Sequence, residues 1–269
     1  MVPTDGTVVV TGASSGIGLE LARRLSTEAS RLVLVARRRQ RLEALAAELV
    51  EFRPHLQVDI EAVDLSDLAA TEALADRLAT GSDPADVLVN NAGFGDRAFV
   101  EQADASKLSR MIAVNVSALT LLTRRLVPGM VERGRGGVLN VSSALGVTWL
   151  PGVATYSGTK HYVGAFTRAL RAELHGTGVV VTEVCPGPVR TEFEVVAENR
   201  TPIRVPRFML IDASQCAAEA LHGFRRGRAI VYPGVANRWL MRLHAIVPEP
   251  IYRFVAERFG ARMRPQLPS

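Results

Sequence analysis

Short runs rich in Val, Leu and Ile recur along the chain at 7–11, 31–36, 56–63, 87–90, 137–142, 179–185 and 229–232. They are nearly continuous in apolar residues rather than alternating, the pattern of strands buried on both faces. Between them, apolar residues return at helical spacing over 16–27, 39–52, 68–80, 106–133, 155–175 and 214–224. Ser66 stands at an N-cap position before the third helix, and Gly81 follows its end. Strands alternating with helices of this length predict βαβ units with right-handed crossovers. The expected fold class is α/β: a doubly wound parallel sheet of about seven strands with helices on both faces. Residues 1–234 read as one unit, and 235–269 as a C-terminal helical tail.

The first strand runs into Thr11-Gly12-Ala13-Ser14-Ser15-Gly16-Ile17-Gly18, and a helix follows at once. Glycines there permit a tight turn and close backbone approach to a pyrophosphate, while the helix N-terminus offers N–H groups and a positive dipole end. A tight strand–helix turn is the plain alternative, but the position after the first strand favours a Rossmann-type dinucleotide site. The second strand ends at Ala36 and is followed by Arg37, Arg38 and Arg39, with no acid before Arg41. A carboxylate there would hold ribose hydroxyls, whereas arginines suit a 2′-phosphate. NADP(H) is therefore expected over NAD. Asp64-Leu65, after the third strand, is placed to meet the adenine.

Tyr156 and Lys160 are four apart on one predicted helix and share a face. A free tyrosine titrates near ~10, too high for a base at neutral pH, and a neighbouring ammonium lowers that value. Ser143, just past a strand, can hold a carbonyl or alkoxide oxygen, and Asn115 can hold a water that links Lys160 to solvent. Together these residues make an oxygen donor, an acid/base and a tuner, the set that carbonyl reduction needs.

With Asn90-Asn91-Ala92-Gly93, Tyr156-Ser157-Gly158-Thr159-Lys160 and Pro186-Gly187-Pro188-Val189-Arg190-Thr191, the chain resembles the single-domain short-chain dehydrogenases/reductases from residue 7 to about 233. The resemblance implies Tyr156 as catalytic acid/base, Ser143 as oxygen donor, and Asn115 with Lys160 as proton relay. It implies that Asn91, Ala92 and Gly93 line the cofactor, that Pro186, Gly187, Val189 and Thr191 flank the nicotinamide, and that Arg37 accompanies NADP preference. It also implies a homodimer or homotetramer. Gly158 and Thr159 depart from the small helix formers usual between the Tyr and the Lys, and a close backbone approach is the expected reason.

A loop from about 188 to 212 resembles the family's substrate loop. Its Phe193, Val195, Val196, Phe208, Met209 and Leu210 suggest a hydrophobic substrate, with Trp149, Leu150, Phe94 and Phe99 as further walls. Arg200, Arg204 and Arg207 fit either an anionic handle or a solvated rim, and Pro202 and Pro206 break any long helix there. In the tail, Asn237 is expected to cap a helix bearing Trp239, Leu240, Leu243, Ile246 and Val247 opposite Arg238 and Arg242. A second piece sets Ile251, Phe254, Val255 and Phe259 against Arg253, Arg258 and Arg262, ending at Gly260. A lid over the cleft, a subunit contact and a membrane-surface helix all fit this pattern.

Charge narrows the field. The 269 residues hold 32 basic and 27 acidic side chains, and only Lys107 and Lys160 are lysines. From Arg204 onward the balance is +7, so the rest of the chain is −2. A nucleic-acid footprint across the fold is not expected. Cys185 and Cys216 lie far apart with no ligand-spaced partner, so no disulfide framework or metal site is expected, and the setting reads as cytoplasmic. No signal peptide is expected before Thr7, and the uncharged stretch 136–159 is too polar to span a membrane. The expected activity interconverts a secondary alcohol and a ketone on a lipid-, steroid- or polyketide-like molecule. A 3-oxoacyl-thioester substrate is the alternative, and a non-catalytic NADP(H) sensor the competing class.

Overall fold

The computed structural model describes residues 2–81, 83–193, 197 and 205–264. Val195, Val196, Arg200, Pro202 and Arg204 of the expected substrate loop lie outside them. The strands are β1 Thr7–Thr11, β2 Arg31–Ala36, β3 Gln57–Ala62, β4 Val87–Asn90, β5 Gly136–Val141, β6 Val179–Val184, β7 Val189–Arg190, β8 Ile211–Asp212 and β9 Ile230–Val231. The helices are α1 Gly16–Leu25, α2 Arg39–Phe52, α3 Leu68–Thr80, α4 Ala105–Ile112, α5 Leu119–Glu132, α6 Ala154–Glu173, α7 Ala213–Arg225, α8 Val235–His244 and α9 Glu249–Met263.

Seven strands form one sheet in the order β3-β2-β1-β4-β5-β6-β9, and every pairing is parallel. The order reverses at β1, where β2 lies on one side and β4 on the other, and ligands of open parallel sheets bind beyond the strand ends at such a point. Apolar runs are needed because both faces are covered. Val8, Val10, Leu32 and Leu34 face a layer made by α1, α2 and α7, through Leu21, Leu42 and Phe224 among others. Val9, Val33 and Leu88 face the opposite layer, where Leu74, Leu122 and Leu170 come from α3, α5 and α6. Each such fully buried side chain contributes about 1.5–3 kcal/mol. The edge strand β3 is the exception: it is only half-buried and carries Asp59 and Glu61.

A buried polar ladder ties the sheet to its helices. Asn90 donates to Asn140 Oδ1 at 2.9 Å and to Thr123 Oγ1 at 3.0 Å, and Asn140 donates to Thr167 Oγ1 at 2.9 Å. These three bonds tie the carboxyl ends of β4 and β5, where the site is built, to α5 and α6.

Four local expectations are corrected. Asp67, not Ser66, caps α3, accepting from the Ala70 N–H at 3.0 Å, because the Ser66 hydroxyl is engaged with Asp64. The helix expected over 106–133 is broken by a π-helical stretch, Ala113–Ala118, which carries Asn115. Asn237 lies inside α8 rather than at its start. Gly234, at φ +84°, opens the helix, and Asn237 is buried, donating to the Cys185 and Pro233 carbonyls. Likewise Gly260 lies inside α9, pressed against Pro151, and does not end the helix.

Candidate active site

Beyond the strand ends runs one cleft of about 630 Å³, from the turn after β1 to the tail helices. At its start, Gly12 and Gly16 take φ of +69° and +57°, the left-handed region that favours glycine. A side chain at Gly18 would stand 2.3 Å from the Gly12 carbonyl oxygen, so α1 can approach the turn only there. Ser15 at the α1 N-cap makes no side-chain cap bond, which leaves first-turn N–H groups available to an anion. Ser14, Ser15, Gly16 and Ile17 line the cleft, as do Asp64 and Leu65.

Arg38 reaches across this turn. It donates to Ser14 Oγ at 3.0 Å, to Ser15 Oγ at 2.7 Å and to Glu192 Oε2 at 2.7 Å. Arg41 holds the other oxygen of Glu192 at 2.6 Å. Hydrogen bonds from Arg38 and then Arg41 hold the Glu192 carboxyl down at about 2. Arg37 lines the cleft with its guanidinium 3.9 Å from Asp64. Partial burial pushes Asp64 upward, but bonds from the Ser66 N–H and hydroxyl outweigh it, and its carboxyl stays below the usual range.

The central residues come together. Thr11 Oγ1 accepts from the N–H groups of Asn91 and Ala92, both at 3.0 Å, and so locks the loop after β4 to β1. Gly93 lies where Asn115 and Lys160 converge: a methyl there would stand 3.0 Å from Asn115 Oδ1 and 3.4 Å from Lys160 Nζ. Tyr156 and Lys160 sit one turn apart on α6, 9% and 5% exposed. Lys160 Nζ donates to the Val141 carbonyl at 2.9 Å and lies 5.9 Å from the centre of the Tyr156 ring. Burial lowers its pKa from the ordinary 10.5 to about 8. Ser143 follows β5 and accepts from the Leu145 N–H at 3.1 Å, which leaves its hydroxyl hydrogen to donate.

Asn115 does not line the cleft directly. Its amide bonds Phe94 O at 3.0 Å, the Phe94 N–H at 3.1 Å and Thr159 Oγ1 at 3.1 Å. Thr159 in turn donates to the Tyr156 carbonyl at 2.7 Å. The π-helical stretch thus pins the loop after β4 to the Tyr–Lys helix. Gly158 meets no close approach within the chain: it is exposed, and a side chain there would meet nothing of this chain within 4 Å.

Pro186, Gly187, Val189 and Thr191 lie along the cleft after β6. The short β7–β8 ladder, Val189 opposite Ile211, closes the base of the loop beyond. Phe193 packs on Tyr156 with ring centres 5.5 Å apart. The apolar end of the cleft includes Phe94, Leu150, Met209, Met241 and Tyr252. Trp149 is not a cleft wall. Tyr252 stands there instead, its ring 5.1 Å from Trp149 and its hydroxyl donating to the Trp149 carbonyl. Phe99 and Phe208 also miss the cleft, the first buried away from it and the second 78% exposed.

Local spacing gave no sign of Met241, His244 and Tyr252, because the tail reaches the cleft only through tertiary packing. Nor did it show that Lys107 pairs with Asp96 at 2.8 Å, a nearly buried ion pair that fastens a cleft-lining loop to α4. No cluster of three or more metal-type ligands occurs among the described residues.

A glycine-rich turn at the switch point of a parallel sheet, with a tyrosine and a buried lysine one helical turn apart, defines a dinucleotide-using oxidoreductase. The profile of the short chain dehydrogenase family matches residues 6–201, and the chain belongs to that family. A Streptomyces coelicolor chain provisionally named a ketoacyl reductase is 40% identical over 247 residues, 85% of this chain and 94% of its own length. Among solved structures, a short-chain dehydrogenase from Sphingobium yanoikuyae in complex with NADPH superposes with TM-score 0.78, 30% identity and 98% coverage of both chains. The bulky-bulky ketone specific alcohol dehydrogenase of Comamonas testosteroni gives TM-score 0.75 at 26% identity, covering 98% of this chain and 97% of its own.

Proposed function

We propose that this chain is an NADP(H)-dependent oxidoreductase that interconverts a secondary alcohol and a ketone on a hydrophobic substrate. The observation that carries the reading is the buried Lys160 ammonium, held by Val141 O and 5.9 Å from the Tyr156 ring.

The residues fit the cofactor. Positive-φ glycines and the open α1 N-terminus suit a pyrophosphate, and Arg37 and Arg38 suit a 2′-phosphate. The relative from Sphingobium yanoikuyae binds NADPH, which supports the same choice. When bound, the nicotinamide supplies or accepts the hydride. Everything else falls to the chain. Ser143 donates a hydrogen bond to the substrate oxygen, and Tyr156 gives that oxygen its proton in reduction or removes it in oxidation. Lys160 favours the phenolate by charge, and burial of the pair strengthens that interaction. Asn115 keeps Phe94 and Thr159 in place around them, and a water beside it completes the relay to solvent.

Phe94, Leu150, Phe193, Met209, Met241 and Tyr252 support an apolar substrate of some bulk. The ketoacyl reductase name of the Streptomyces coelicolor relative favours 3-oxoacyl thioesters as the second reading. A cytoplasmic homodimer or homotetramer completes the proposal.

The test is NADPH and NADH oxidation over bulky aryl ketones, steroid ketones, 3-oxoacyl thioesters and aldehydes. Steady NADPH oxidation with apolar ketones is expected. NADPH binding with no turnover on any of them would leave the sensor reading and overturn this one.

A further inference from the structure

Nine of the seventeen large hydrophobic side chains that are exposed among the described residues crowd into α8, α9 and the turn between them. Helical spacing shows why they are left in solvent. On α8 the fold takes Asn237 and Met241, and the opposite row is Val235, Trp239 and Arg242, with Ile246 exposed in the turn that follows. On α9 it takes Ala256, Gly260 and Met263, and the opposite row is Ile251, Phe254, Val255, Arg258 and Arg262. The apolar residues and arginines therefore share the outward faces, and do not lie on opposite faces as the sequence pattern suggested. Trp239 is 63% exposed and Ile246 76%. Arg242 lies over the Trp239 ring at 5.2 Å and Arg258 over the Phe254 ring at 5.3 Å. The turn Arg207–Met209 contacts α8 and adds the exposed Phe208 beside it.

We propose that these two outward faces form a docking surface for an anionic lipid bilayer. The charge pattern selects this occupant. Residues 235–264 carry six arginines against Glu249 and Glu257. Arg242, Arg258 and Arg262 lie within the apolar rows, where lipid phosphates would neutralise them while the aromatic and aliphatic side chains enter the boundary with the acyl chains. A second copy of this chain would set the same arginines against themselves, since a two-fold contact apposes like patches. No helix among the described residues is long and apolar enough to cross a membrane, so the contact is to one leaflet.

The inner sides of the same helices are cleft wall: Leu240, Met241, His244 and Tyr252 line it. A docked enzyme would thus present its cleft beside the lipid, where a lipid-like ketone is dissolved. This last step rests on the hydrophobic-substrate reading above, whereas the docking surface does not.

The experiment is vesicle co-sedimentation of the full chain, without cofactor or substrate, on phosphatidylcholine and on phosphatidylcholine with phosphatidylglycerol. Binding is expected on the anionic vesicles and is expected to weaken as salt is raised. It should fall roughly tenfold or more in Arg242→Ser/Arg258→Ser and again in Trp239→Ala/Phe254→Ala. NADPH oxidation with a water-soluble ketone should be unchanged in both. Absence of sedimentation with anionic vesicles at low salt would overturn the proposal, as would wild-type binding by both variants. Conversion of a wild-type dimer to monomers by Trp239→Ala/Phe254→Ala would also overturn it, by showing the face to be a subunit contact. Because no turnover enters the sedimentation readout, failure of the catalytic proposal and failure of this one remain separate results.

Discussion

Arg38 grips Glu192 at 2.7 Å across the turn that the fold reserves for phosphate. Glu192 belongs to the segment leading into the substrate loop, and its carboxyl, held at about 2, is ionised at neutral pH. Glu192 occupies Arg38, one of the two arginines proposed for a 2′-phosphate, so carboxylate and phosphate compete for it. Glu192→Gln is expected to strengthen NADPH binding several-fold and to leave NADH binding unchanged. Fluorescence titration of both cofactors checks this, and equal NADPH affinity in mutant and wild type would contradict it.

Arg37→Asp is expected to turn cofactor preference toward NADH. A charge-assisted hydrogen bond to phosphate is worth about 1.5–3 kcal/mol, so NADPH affinity should fall by roughly 10- to 100-fold. Retained NADPH affinity would remove Arg37 from the site.

The depressed pKa of Lys160 has a consequence for stability. Burial disfavours the ammonium, so the folded-state value of about 8 lies below the ordinary 10.5. Between these values the unfolded chain binds more protons than the folded one, and stability rises with pH across that window. It is lost again as pH falls through about 8. The swing is about 3 kcal/mol. Denaturant unfolding on either side of the window should show this rise in wild type and its loss in Lys160→Met. An identical pH dependence in the two proteins would refute it.

Gly158→Ala is expected to stabilise the protein by about 0.5–1 kcal/mol, because an exposed helical glycine there spends backbone entropy for no contact. Thermal unfolding reads the gain. A lower melting temperature would show that the position packs against something in the assembly.

Much of the sheet and of the central site was legible because it rests on local rules. The β-branched runs mark the strands, and the glycines from Gly12 to Gly18 announce a turn that only glycine can make. Tyr156 and Lys160 share a face by their spacing alone. What escaped depends on proximity without periodicity. The π-helical stretch at Asn115 lies inside an unbroken apolar pattern that gives no sign of it. Nothing in the spacing of the tail singles out Tyr252, yet it bonds the Trp149 carbonyl and lines the cleft in place of Trp149 itself. The outward rows of α8 and α9 mix arginines with apolar residues because the fold takes Asn237 and Ala256 inward and leaves the larger apolar side chains outside.

The central claim is that Tyr156 moves the proton and Lys160 tunes it. The most direct measurement is single-turnover NADPH oxidation by Tyr156→Phe, on whichever ketone the wild type reduces, beside an NADPH binding titration. Unchanged NADPH affinity with a rate lowered about 10²- to 10⁴-fold is expected. A rate equal to wild type would contradict the account.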